Sequence, residues 1–412
     1  MHQTDPVTGT SVYASSDIPA LESVALCPNR LAITPALCRS KLERLPVELG
    51  SWTDHELMAV YLAFHVVERD MEAASDPAVA LDHAAYVNLL PKEALMTPIN
   101  FSDNELALLK GTNLYAATIE RRDKWHHEWD VIRSRHAALN AIKWPQYLWA
   151  CTMISSRAFP SRLVDGDDSD PTPILLPGVD MLNHDLSAKV TWSTSEYSDN
   201  GKVALVIESA SPAGFQIFNN YGPKPNEEFM LGYGFLPRRD QRVGDVVALR
   251  TAIPPRAAEL VRPILTKLGL TETLFFINRE GVLPEELQTQ MRVILAVQAF
   301  NEQELEIPSW TAAPTFVSWE TELDMFSMFQ AMLANKLTSV MTEPERAQVE
   351  VRQEVEAMCD EYRHGQKEIL MRALELLEST FEELLDKARG EGFDISEYIE
   401  EGDEDDDEDD QR

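Results

Sequence analysis

A chain of 412 residues, 44% of them apolar, is long enough for two or three domains with real cores. Its 36 lysines and arginines face 69 aspartates and glutamates, a formal charge of −33 that argues against a direct grip on nucleic acid and favours a basic partner. Part of the excess is local, because residues 397–412 hold 11 acids against one arginine, yet the body is acidic without them.

Cys27, Cys38, Cys151 and Cys359 show no CxxC spacing, which argues against a zinc ribbon or a disulfide framework and reads as reduced thiols. No charged-then-apolar signal opens the chain, and no apolar run reaches the roughly 18 to 20 residues of a membrane span. The reading is a soluble monomer of the cytoplasm or nucleus, with no membrane and no nucleic-acid partner.

In chain order, residues 7–34 mix β-branched and apolar residues with Gly, Pro and Asn at short intervals, the pattern of short strands and turns. From Trp52 to Met71, Leu57, Tyr61, Phe64 and Val67 recur at helical spacing behind Thr53 or Asp54 as N-cap, which predicts an amphipathic helix. Asp103 to Arg135 reads as helix, and Pro145 opens another carrying Tyr147, Trp149 and Met153. The acidic stretch after Leu163 resembles a calcium loop at Asp165, Asp167 and Ser169. Asp170, however, stands at the turn glycine and Leu176 at the closing glutamate, so a solvated loop without metal is expected.

VTWSTSEY and KVALVIESA read as two strands joined by Ser-Asp-Asn-Gly. Beyond about 245 nearly every stretch looks helical. RAAELVRPILTKLG ends at Gly269, PEELQTQMRVILAVQAF starts at a proline, and a long helical pair spans 344 to 389 with a stripe of Ile369, Leu370, Ala373, Leu376, Leu377 and Leu384. An acidic, disordered tail closes the chain.

Three segments place hydrogen-bonding side chains and flexible backbone inside apolar surroundings: SSRAFP (155–160), LLPGVDMLNHD (175–185) and NNYGPKPNEEFMLGYGF (219–235). Singly they decide nothing. His184 has no second histidine at metal spacing, Gly232 and Gly234 do not make a dinucleotide fingerprint, and no Walker loop or GxSxG elbow exists.

Together, in this order, they resemble the SET-domain methyltransferases typified by Rubisco large-subunit lysine methyltransferase, whose relatives modify ribosomal proteins, elongation factors and actin histidine. The shared pattern is Ser156-Arg157-Ala158-Phe159, Asp180-Met181-Leu182-Asn183-His184, Tyr221-Gly222 through Asn226-Glu227-Glu228, and Tyr233-Gly234-Phe235. Flanking similarity extends it over roughly residues 9 to 240. The resemblance implies an α+β fold: a SET domain at 1–240 with a helical insertion at about 50–155, an α-helical substrate-binding domain at 241–392, and the tail at 393–412.

It also implies S-adenosylmethionine as methyl donor. Gly9 and Thr10 would form the first cofactor loop, Arg157 would clamp the cofactor carboxylate, and Asp180, Asn183 and His184 would line the adenine and methionine portions. Tyr233, Gly234 and Phe235 would complete the pocket, with Tyr233 as the catalytic hydroxyl and Tyr221 as the second wall of a lysine tunnel. The implied activity is protein-lysine N-methylation of a basic, non-histone substrate such as a ribosomal protein or translation factor. A histidine methyltransferase and an inactive acidic binding module are the alternatives. Two departures bear on this: Ser11 replaces the second glycine of the family's G-x-G, so its Cβ is expected to crowd the cofactor, and only eight residues precede Gly9, which reads as a truncated or divergent member.

Overall fold

The computed structural model describes residues 2–5, 9–45, 48–70, 81–302, 306–342 and 351–399. They form two compact units. One draws on residues within Met1–Leu106, Leu114–Gly244 and Val349–Met358, the other on residues within Ala107–Asn113, Asp245–Gln348 and Cys359–Arg412. This division falls at 244/245, close to the expected boundary, and it exchanges two short segments that sequence order alone keeps apart.

The first unit contains a three-stranded antiparallel sheet in which Lys202–Ile207 lies between Glu22–Pro28 and Val190–Thr194. The central strand is apolar on both faces, as a strand covered twice must be. Val203, Leu205 and Ile207 pack with Cys27, Ile174, Leu176 and Val179. Gly9–Val12 pairs with His2–Asp5, and the Val12 carbonyl accepts from the Ile217 N–H, 2.8 Å away. One residue later Phe218–Asn219 runs parallel to Asn183–His184. These crossings bring three segments distant in sequence side by side.

The helical insertion begins with Asp54–Asp70, closed by a reciprocal capping box. The Thr53 N–H donates to Glu56 Oε2 (2.7 Å) and the Glu56 N–H to Thr53 Oγ1 (3.2 Å). This helix is not amphipathic, contrary to its spacing. Residues from Leu57 to Val67 are all buried, because helices Pro35–Leu42 and Trp144–Arg157 also pack against it. The helix expected over 103–135 is broken. Asp103–Ala107 ends and Asn113–Arg135 starts anew, with Gly111 between them at φ +84°, where a Cβ would lie 2.1 Å from the Ser339 carbonyl oxygen. In the acidic loop, Asp165 and Asp167 accept from backbone N–H groups two residues on, so these carboxylates serve turns.

One buried cluster of the insertion sets a pH limit on stability. Tyr61 Oη lies 2.8 Å from His83 Nδ1, His83 Nε2 lies 3.2 Å from the Leu31 carbonyl oxygen, and buried His65 Nε2 has no partner among the described residues. Burial, and then the neighbouring His83, push His65 down to about 4, against a small upward pull from Asp82. Between pH 6.5 and about 4 the unfolded chain therefore takes up a proton that the folded state refuses. Stability is expected to fall by about 3 kcal/mol over that window. Urea midpoints measured from pH 7.5 to 4.5 should show the decline, and His65→Leu should flatten it; an equal decline in that variant would assign it elsewhere.

The second unit is not purely helical. Val246–Arg250 pairs antiparallel with Leu274–Asn278, two runs rich in β-branched and aromatic residues within a stretch expected to be helix. Helices Ala258–Lys267, Glu285–Glu302 and Trp319–Met341 follow the pattern of a bundle. Of the helical pair expected over 344–389, residues 344–350 lie outside the described residues, and Gln353–Gly390 is a single 38-residue helix, its stripe of Ile369, Leu370, Ala373 and Leu377 packed with Met325, Phe329 and Leu333. The segment assigned to a disordered tail begins ordered: Ile395 is buried with Leu323 and Ala388, and the Tyr398 hydroxyl donates to Asp324 Oδ1 at 2.8 Å. Residues 400–412 of that tail lie outside the described residues. No described helix is long and apolar enough to cross a membrane.

Candidate active site

All the candidate site residues belong to the first unit, and four elements bring most of them together. The short turn Val179–Met181 leads into Leu182, Asn183 and His184. The segment after Phe218–Asn219 supplies Tyr221. A short helix at Asn226–Glu228 runs into the π-helical turn Phe229–Tyr233, whose widened ring is closed by the Gly234 N–H on the Phe229 carbonyl at 2.9 Å. Gly234 has φ +82°, and a Cβ there would lie 2.9 Å from the Met96 carbonyl carbon. Only glycine can reverse the chain at this point and return Phe235 to the site.

The result is an aromatic cluster. His184 stacks on Tyr221 (5.1 Å, 26°) and on Phe229 (4.9 Å, 27°), Tyr221 stacks on Tyr233 (5.0 Å, 25°), and Phe235 closes on Phe229 at 5.3 Å. Rings at these separations attract one another and present π faces to a cation. Tyr221 is doubly anchored: its hydroxyl donates to the Leu182 carbonyl (2.7 Å) and its N–H donates to His184 Nδ1 (3.0 Å). Because Nδ1 accepts, the neutral imidazole carries its proton on Nε2. Burial holds His184 below its ordinary value, so that neutral form is present at pH 7. Burial likewise raises the Tyr221 and Tyr233 phenols, with Lys224 pulling Tyr233 back only in part.

Beside the cluster lies a buried polar array. Arg157 ends helix Trp144–Arg157 and donates from one terminal nitrogen to the Asp180 carbonyl (3.0 Å) and to Asp180 Oδ2 (3.3 Å). Asp180 Oδ2 also accepts from the Tyr86 hydroxyl (2.7 Å), and Oδ1 from the Gly178 N–H (3.1 Å). Asp180, expected to line the cofactor, is therefore buried with partners on both oxygens. Gly9 and Thr10, expected in a loop, lie in the strand Gly9–Val12. Ser11, which stands where the family has glycine, is fully buried, and its hydroxyl accepts from the Asn183 side-chain amide at 3.0 Å, bracing a candidate site residue.

Several buried polar atoms here have no hydrogen-bond partner among the described residues: His184 Nε2, Arg157 Nε, and both amide atoms of Asn226. Buried groups left so are costly unless a ligand satisfies them. Their chemistry, two nitrogen donors and an amide near π faces, fits a ligand with a carboxylate, a heteroaromatic base and a cationic centre. Among the described residues no group of three His, Cys, Asp or Glu side chains could hold a metal.

No family model matches the chain. It is 35% identical over 244 residues to ribosomal lysine N-methyltransferase set10 of Schizosaccharomyces pombe, covering 59% of this chain and 42% of that protein. It is 29% identical over 279 residues to ribosomal lysine N-methyltransferase 1 of Saccharomyces cerevisiae, covering 62% and 46%. In structure it aligns with Rubisco LSMT bound to AdoMet at a TM-score of 0.73, over 98% of this chain and 93% of that one at 20% identity. The chain has the SET-domain fold of Rubisco large-subunit methyltransferase. The two ribosomal relatives are lysine N-methyltransferases by name, and the chain spans less than half the length of each.

Within this SET fold, three residues outside the expected set stand at the site. Phe229 is sandwiched in the aromatic cluster, the buried Asn226 side-chain amide has no partner among the described residues, and Tyr86 reaches Asp180 from the insertion. Asn226 and Phe229 sat inside a motif of the resemblance, and Tyr86 opens YVNLLPKEALMTPINFSDNELALLKGT (86–112), a segment resembling the family's insertion, although nothing in the sequence gives the tyrosine itself a role at the site.

Proposed function

We propose that this chain is an S-adenosylmethionine-dependent protein-lysine N-methyltransferase whose substrate is a basic ribosomal protein met in the cytoplasm or nucleus. The observation that carries the reading is the aromatic cluster of His184, Tyr221, Phe229, Tyr233 and Phe235, flanked by buried polar atoms that have no partner among the described residues. The names of the two ribosomal relatives and the acidic charge of the chain support the substrate class.

When bound, S-adenosylmethionine supplies a methyl group on a sulfonium, an electrophile that a neutral amine attacks in line. Arg157 and the His184 Nε2–H would hold its carboxylate and base, with Asn183 kept in place by Ser11. The walls of Tyr221, Tyr233 and Phe229 exclude water and orient the amine at near-attack distance, about 3 to 3.5 Å. Burial keeps both phenols protonated at neutral pH, so neither takes the lysine proton. The lysine loses that proton to solvent before entry, and the Tyr233 hydroxyl orients the lone pair. Tyr221, its hydroxyl spent on Leu182, contributes its ring and not a proton.

A second acceptor, histidine, has one observation in its favour. The actin-histidine N-methyltransferase of Xenopus tropicalis is 24% identical over 425 residues, spanning 95% of this chain and 69% of that protein. The deciding experiment is calorimetric titration with S-adenosylmethionine, followed by labelled-methyl transfer to purified ribosomal proteins and mapping of the modified residue. Micromolar binding, weakened by Asn183→Ala, with label on lysine is expected; no binding, or label on histidine, would refute the corresponding part.

A further inference from the structure

We infer that Tyr86, carried by the helical insertion, is a positioning residue for the cofactor that acts through Asp180 on Arg157. The inference rests on the site reading given above. Tyr86 lies in the short helix Ala84–Val87 and is buried among the insertion's core residues, 94 positions away from the carboxylate that its hydroxyl reaches at 2.7 Å.

The geometry gives that contact a task beyond packing. A carboxylate can rotate about its χ2, and its plane is set only when both oxygens have fixed donors. Here the Gly178 N–H holds Oδ1 while Tyr86 holds Oδ2, and Arg157 leans on the same Oδ2 and on the Asp180 carbonyl. The guanidinium is thereby turned so that Nε is left without a partner among the described residues. Asp180 also lies within the turn that leads into Leu182, which receives the Tyr221 hydroxyl, and Asn183, which Ser11 braces. One phenol from the insertion thus orients the cation and anchors the turn that carries two other site residues.

Groups facing Asp180 are Arg157, Tyr86, Tyr221 and the Cys27 thiol. Of these, Arg157 is the cation and Tyr86 the donor that favours the ionised carboxylate, against a burial that pushes it up. Without the Tyr86 hydroxyl, Asp180 protonates at a higher pH, and on protonation it releases Arg157. Loss of Tyr86 should therefore be felt most strongly on the acid side, a pattern that general loosening of the core does not produce.

The test is calorimetric affinity of the full chain for S-adenosylhomocysteine between about pH 6 and pH 8.5, for wild type, Tyr86→Phe and Tyr61→Phe, the last a buried tyrosine of the same insertion. Wild type and Tyr61→Phe are expected to bind alike at each pH. Tyr86→Phe is expected to bind more weakly, by about tenfold at the acid end of the range and by less at its alkaline end. Wild-type affinity of Tyr86→Phe at every pH, or equal weakening of both tyrosine variants, would overturn the inference alone. Absence of binding by wild type would remove the site reading and the inference with it. Should Tyr86→Phe not fold, Asp180→Asn is expected to bind weakly and without pH dependence, and wild-type affinity there would equally overturn it.

Discussion

Tyr233→Phe is expected to slow methyl transfer by roughly a hundredfold while changing affinity for S-adenosylmethionine by less than about twofold. The ring stays, so its stack on Tyr221 at 5.0 Å and its place against Phe235 persist. What disappears is the hydroxyl proposed to orient the attacking nitrogen. Because that hydroxyl is held protonated by burial, it is not the group that deprotonates lysine. The rise of the rate with pH should therefore keep its slope in the variant, displaced downward as a whole. Single-turnover rates across pH with a lysine-bearing protein substrate check this. A changed slope would make Tyr233 a base, and an unchanged rate would remove it from the chemistry.

Arg157→Ala is expected to abolish detectable cofactor binding and also to destabilise the first unit by about 3 kcal/mol, the order measured when one partner of a buried pair is deleted. The reason is Asp180, whose side chain is fully buried and would keep only Tyr86 and the Gly178 N–H. Burial would then push its carboxyl further up. A folded-state value above the unfolded one means that stability is recovered as pH falls through it, so the penalty should be largest at neutral pH and shrink on acidification. Arg157→Lys keeps a cation beside Asp180 but not the planar fork. It should cost under about 1 kcal/mol and still weaken binding more than tenfold. Urea midpoints at pH 5 and pH 7.5, with calorimetry on the same preparations, separate the two effects. Equal stability of Arg157→Ala and wild type would mean that the pair is not what holds the turn.

Much of the site was legible beforehand because its parts are local. Asn183-His184, Tyr233-Gly234-Phe235 and Arg157 each sit in a short motif, and Gly234 is required by a backbone reversal that any reader of Gly-flanked aromatics can suspect. The capping box at Thr53 and Glu56, the helix opened by Pro145, and the Ser-Asp-Asn-Gly turn are also written in neighbouring residues, whose mutual hydrogen bonds need no distant partner.

What the sequence by itself determined, then, was the order of the motifs, the α+β class and the starts of helices such as Asp54–Asp70, Trp144–Arg157 and Glu285–Glu302, since capping, turn chemistry and apolar period act over a few residues. What only the tertiary structure decided were the features that depend on partners far along the chain. The Asp54–Asp70 helix lost its solvent face to two other helices. Ser11 became a brace because Asn183 lies 172 positions away in sequence yet 3.0 Å away in space. Phe229 joined the cluster through a π-helical turn that no residue spacing announces. Asp180 turned from expected ligand contact to buried anchor because Tyr86, Gly178 and Arg157 converge on it. A carboxylate's role is set by what surrounds it once water is excluded, and that enclosure exists only in the folded chain.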